Sequence, residues 1–200
     1  MKLSFPVMDD SINEFFERER ADGLREEISH QTPRRREEIV LNAIREAIKQ
    51  AQGIPAVFAF RTREGGGTSH HLVFASKHPK GAGIMKHLMT SYSSEVIDGV
   101  GSWDFDPRDA QPKTGSLFSP LGDICERLLE RFSGRKLTFG ELIVEESAET
   151  QYTDTNYRDA LLRLEAEFRI QVTPQAEERR MQAGSAKRTL PPDSTLEFPT

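Results

Sequence analysis

Hydrophobic positions early in the chain follow the two-residue rhythm of a strand. Leu3, Phe5 and Val7 alternate with polar or small residues. Residues 13–31 are charged and weakly periodic, which predicts a short helix from Ile12 to Arg20 and then a loop. The rhythm becomes helical after Thr32-Pro33, an N-cap followed by a proline at the first helical position. Ile39, Val40, Ala43, Ile44, Ala47, Ile48 and Ala51 then form one apolar face, and Gly53 is the expected stop. Ala56–Thr62 and His70–Ser76 read as strands of a hairpin, joined by a loop whose Gly65, Gly66 and Gly67 tolerate positive φ. A helix is expected from Ala82 to Tyr92. Residues 99–117, rich in Gly, Pro and Asp, read as a linker pinned by Trp103 and Phe105.

From Ser119 the pattern becomes three short helices. Ser119-Pro120 repeats the cap-and-proline signal, and Leu121, Ile124, Cys125, Leu128, Leu129 and Phe132 make a face ending at Gly134. Thr138-Phe-Gly-Glu141 is a capping box. Thr153 or Asp154 caps a third helix, with Tyr157, Ala160, Leu161, Leu164 and Phe168 inward. Two short strands follow, Ile170–Thr173 and Thr195–Phe198, with a polar segment between them expected to be mobile over 174–193. Three helices followed by a two-stranded hairpin is the order of a winged helix-turn-helix.

Composition narrows the function classes. Net charge is −5, with 16 Lys/Arg against 17 Asp/Glu in residues 1–119 and 11 against 15 in residues 120–200. Neither part has the basic excess of a strong nucleic-acid binder. No run approaches the roughly 18 apolar residues of a membrane span, so no membrane association is expected. Cys125 stands alone, which excludes an internal disulfide and any multi-cysteine metal site. No secretory pattern is visible, and a cytoplasmic location is the expectation.

Chemical candidates are few. Gly81-Ala-Gly83-Ile-Met-Lys86 lacks the spacing and the hydroxyl of a Walker loop. Lys77, His78 and Lys80 remain candidates for holding an anion or a partner at the start of the following helix, although a plain strand-to-helix turn explains them as well. His70 and His71 point to opposite faces of a strand and cannot easily share a metal. Cys125 lies on an apolar face and reads as core. Asp9-Asp10 reads as an exposed pair. No glycine-rich cofactor loop occurs, so no catalytic, cofactor-binding or metal-binding residue is assigned, and catalysis by this chain alone is not expected. For nucleic-acid contact the candidates are Arg158 and Arg163 on the third helix and Arg179, Arg180, Lys187 and Arg188 in the wing segment, beside Asp159, Glu165, Glu167, Glu177 and Glu178.

Phe74-Ala75-Ser76, His78-Pro79-Lys80-Gly81, Met85-Lys86, Trp103-Asp-Phe105 and Ser11-Ile12-Asn13 resemble segments of the three-Cys-motif partner protein family. The resemblance implies a methyltransferase-type Rossmann-like α/β sheet with a closing antiparallel hairpin, followed by a winged helix. Family members are thought to act beside a radical-type partner carrying a three-cysteine motif. On this resemblance the chain corresponds to the later strands, without the cofactor-binding first half. The expected organisation is a partial α/β domain over 1–95, a linker over 96–118 and a winged helix over 119–200. The expected function is binding, of a protein partner or more weakly of nucleic acid. The alternatives are part of an S-adenosylmethionine-dependent enzyme needing a missing N-terminal half, or a winged-helix transcription regulator.

Overall fold

In a computed structural model of the chain the described residues are 13–62, 67–107, 119–181 and 188–200. The expected first strand at Leu3–Val7, the pair Asp9-Asp10, Ser11-Ile12, most of the glycine loop and Lys187 lie outside them. The chain divides into two compact units, Met1–Gly53 and Ile54–Thr200.

The described part of the first unit is helical. A short helical segment at 13–16 is followed by α1 (Arg18–Ile28), with Glu17 at φ 63° between them. The loop expected after Arg20 is therefore helix. Ala21 and Leu24 supply a narrow apolar stripe among charged neighbours and pack with Phe16 against Ala43, Ile44 and Ala47 of α2 (Pro33–Gln50). Thr32 caps α2 by accepting the Arg35 N–H at 3.3 Å. At the far end the Gly53 N–H reaches Ile48 O and the Gln52 N–H reaches Lys49 O, both at 2.8 Å, which is a Schellman closure. The left-handed residue is Gln52, at φ 59°. Gly53 is needed for space, since a Cβ there would lie 2.8 Å from Ile48 Cγ2.

The second unit begins with a small sheet. β1 (Ile54–Arg61) pairs antiparallel with β2 (Thr68–Ser76), and β5 (Asp104–Phe105) joins the other edge of β1 in parallel, giving the order β2-β1-β5. Helix α3 (Pro79–Ser91) packs on this sheet, and Ala56, Phe58, Met89 and Trp103 form their shared core. Between α3 and β5 lies a tight hairpin of β3 (Val96–Ile97) and β4 (Val100–Gly101). Its turn residues Asp98 and Gly99 have φ of 51° and 77°, as a type I′ turn requires. Part of the stretch read as a linker thus carries strands.

The remainder runs α4 (Pro120–Phe132), β6 (Lys136–Thr138), α5 (Phe139–Ser147), α6 (Asp154–Ala166), β7 (Gln171–Thr173) and β8 (Thr195–Glu197). The three strands form one sheet in the order β6-β8-β7. Ile124, Leu128, Phe132, Leu142, Leu161, Leu164 and Leu196 are buried in a continuous core that also takes in Val100. The segment between β7 and β8 carries a 3₁₀ turn at Ala176–Glu178 and a bridge between Met181 and Arg188.

The caps do measurable work here. Thr153 is buried, accepts the Asn156 N–H at 3.2 Å and takes part in a reciprocal box with the Asn156 side chain. Thr153→Ala is expected to lower stability by about 1 kcal/mol in urea unfolding. An unchanged midpoint would mean that the cap does not hold α6.

Candidate nucleic-acid interface

Helix α6 is amphipathic. Tyr157, Ala160, Leu161 and Leu164 face the core, while Thr155, Arg163 and Ala166 are exposed and Asp159 and Leu162 are partly so. Helix α5 precedes it across a short turn, and β7 and β8 follow with a long connection between them. Helix, strand, two helices and a two-stranded ribbon, with the first strand paired beside the last, is the order of a winged helix-turn-helix.

Residues 104–177 match the family model of the GMT-like wHTH domain. The chain carries a winged-helix domain. Neither curated proteins nor solved structures gave a match.

The arginines of this winged helix are mostly matched by carboxylates. Arg158 is half-buried, lies 5.3 Å over the Phe139 ring and approaches Asp154 at 3.7 Å. Arg163 is exposed and donates from Nε to Glu167 at 2.8 Å, a bond that raises its pKa further. Arg169 pairs with Glu126 at 2.6 Å. Arg179 is no surface cation: its side chain is 1% exposed and paired with Glu165, and its Nε and Nη1 have no hydrogen-bond partner among the described residues. Arg188 is partly buried and donates to the Arg179 carbonyl at 3.0 Å. Arg180 is exposed, with its carbonyl taken by Thr189. Arg163, Arg179 and Arg188 line one cavity of about 730 Å³ between α6, β7 and the base of the wing, together with Leu162 and Phe168.

The N-terminal end of α6 is held by the sheet side of the same unit. His87 of α3 meets Asp154 at 2.5 Å, and the Asn156 amide donates to Gly99 O at 2.8 Å. Lys86, 2% exposed, donates from Nζ to Ser147 O and Thr150 O, both at 2.7 Å, at the C-terminal end of α5. A cation there suits the negative end of the helix dipole. Beside it lies the buried Glu146 carboxylate, which accepts from Arg127 at 3.0 Å and the Tyr157 hydroxyl at 3.1 Å and forms an ion pair with Arg131 at 2.6 Å. Burial, foremost, pushes the Tyr157 phenol well above its ordinary value, so it stays a donor to the carboxylate.

The other sequence candidates stand apart from this site. Lys77, His78 and Lys80 are exposed at the start of α3. His78 is the N-cap: its Nδ1 accepts the Lys80 N–H at 3.1 Å, and Ser76 Oγ accepts the His78 N–H at 3.1 Å. The Lys80 N–H, the first that α3 offers after Pro79, is therefore engaged locally. Among the described residues no His/Cys/Asp/Glu group could hold a metal, and no helix is long and apolar enough to cross a membrane. Cys125 is buried, its thiol pushed up chiefly by burial.

Sequence reasoning missed Lys86, Asn156 and Gly99 as a group. One signal was present: Asp98-Gly99 between Val96-Ile97 and Val100-Gly101 is a strong hairpin pattern. Nothing local in the sequence shows that this hairpin meets α6.

Burial brings the Lys86 ammonium down to about 8 from 10.5, against the opposing pull of Glu146. Between those values the unfolded chain keeps a proton that the folded chain sheds, so this group's contribution to stability rises with pH. In urea titrations at about pH 7.5 and about pH 9.5, wild type should gain stability relative to Lys86→Met at the higher pH. A flat difference would place the lysine's titration outside that window.

Proposed function

We propose that this chain acts by binding nucleic acid through its winged helix, within a three-Cys-motif partner-like protein. The observation that carries the reading is the pairing of an exposed α6 face, bearing Thr155 and Arg163, with a wing that bears Arg180 and Arg188. These are the two elements with which a winged helix meets a duplex. The match to the GMT-like wHTH domain supports it, because winged helices generally bind nucleic acid. The resemblance of His71–Met89 and Trp103–Phe105 to three-Cys-motif partner proteins supports the wider setting. It also supports the proposed division into a partial methyltransferase-like α/β part over 1–95, a connecting stretch over 96–118 and the winged helix over 119–200.

The charge balance predicts the character of the binding. Arg163 is shared with Glu167, and Glu177 and Glu178 stand near the wing. Phosphate contacts are therefore few, and affinity belongs in the non-specific range, at about 10⁻⁴–10⁻⁶ M. Fluorescence anisotropy with a labelled duplex should give a log–log salt slope of about −2 to −3, as two or three phosphate contacts imply. The double variant Arg163→Ala/Arg180→Ala should flatten the slope by about two. Binding that ignores salt, or no binding, would end this reading.

A protein partner is the second reading, and Phe168 favours it. This aromatic is 95% exposed at φ 56°, a left-handed position after α6 that glycine occupies more cheaply. It stands on the rim of the cavity beside α6, where an aromatic anchor is useful to a protein interface. Phe168→Ser should abolish capture of a three-cysteine-motif protein and leave duplex binding unchanged. Retention of that capture would remove Phe168 from the interface.

A further inference from the structure

The end of α6 that a helix-turn-helix inserts into a duplex is the end this chain holds against itself. Base-edge contacts come from the N-terminal residues of the recognition helix. Here Asp154 stands at 2.5 Å from His87 of α3, and the Asn156 amide is bonded at 2.8 Å to Gly99 in the β3–β4 turn. The preceding α5–α6 turn is fixed from the same side, by Lys86 on Ser147 O and Thr150 O and by the Gln151 side chain accepting the Val57 N–H at 3.3 Å. The major groove is about 12 Å wide and a helix with its side chains is about 10–12 Å across. The groove admits α6 but not α6 with α3 pressed on its leading end.

We propose that α3 and the Asp98-Gly99 hairpin form an autoinhibitory clamp on the recognition helix, with Lys86 as its latch and a duplex as the ligand it excludes. The inference rests on the nucleic-acid reading above. In the clamped form α6 offers the exposed Thr155 and Arg163 with the wing but withholds Asp154 and Asn156, which suffices for the weak, salt-dependent contact already described. Full insertion requires α3 to leave Asp154 and the hairpin to leave Asn156. Polar contacts hold much of this junction: an imidazole, an amide, an ammonium and backbone carbonyls. Opening hands the buried Lys86 and Asn156 to water and draws Val100 of the hairpin out of the winged-helix core, so the open form is the minor one. Freeing a binding-competent form populated at about 10% or less strengthens apparent affinity about tenfold or more.

The test uses the full chain. Wild type, Lys86→Met and His87→Ala are compared by anisotropy on one labelled duplex and by amide hydrogen exchange over residues 148–156. His87 is a surface side chain, so its variant keeps the test available if Lys86→Met unfolds. The expected result is faster exchange over 148–156 together with duplex binding at least about tenfold tighter than wild type. Faster exchange with unchanged or weaker binding would overturn the clamp, while salt-dependent binding by wild type would leave the nucleic-acid reading in place. Unchanged exchange in both variants would also overturn the clamp, because neither residue would then hold the helix end. No duplex binding by wild type or by either freed variant would remove both the nucleic-acid reading and the clamp.

Discussion

Glu146 has a carboxylate wholly out of water, and much of the second unit is arranged around what that costs. An isolated buried carboxylate is penalised by several kcal/mol, so partners must reach it from whatever elements surround it. Arg127 and Arg131 come from α4, and the Tyr157 hydroxyl comes from α6. Tyr157 also meets Thr150 at 2.5 Å, in the turn that Lys86 holds from α3. One charge therefore fixes three helices relative to one another. Through the neighbouring ammonium it also ties them to the sheet. The two arginines stay partly exposed, which keeps their guanidinium groups hydrated while they satisfy an acid that water cannot reach.

Helix starts were legible in the sequence because capping is local. Thr32-Pro33, Ser119-Pro120 and Thr138 through Glu141 each open a helix where the pattern placed one. The winged-helix order was legible for the same reason, apart from one strand. β6 has three residues, and its identity comes from pairing Leu137 with Leu196 far along the chain. Helix α1 escaped because its apolar stripe, Ala21 and Leu24, is thin among charges and gains meaning only against α2. The site was read less well. Arg179 looks like a wing cation in the sequence, and it is buried because Glu165 waits on another element. His78 looks like a ligand-binding side chain, and it spends a ring nitrogen on capping its own helix.

The charged surface of the winged helix is closer to a set of closed pairs than to a field. Pairs such as Arg163–Glu167, Arg169–Glu126 and Arg135–Glu145 are exposed, and each contributes little stability in water. Their effect on recognition is larger. A phosphate approaching such an arginine competes with a carboxylate already in place, which weakens each such contact.

Trp103 is the chain's single tryptophan, and it lies in the core shared by α3 and the sheet, with Ala56, Phe58 and Met89. Its indole is therefore an optical reporter for that layer and is silent about the winged-helix core, whose aromatic members are phenylalanine and tyrosine. Intrinsic emission follows that layer alone, while far-ultraviolet circular dichroism sums the helices of the whole chain, α1 and α2 included. A tryptophan transition that precedes the loss of ellipticity would show this layer parting before the helices melt.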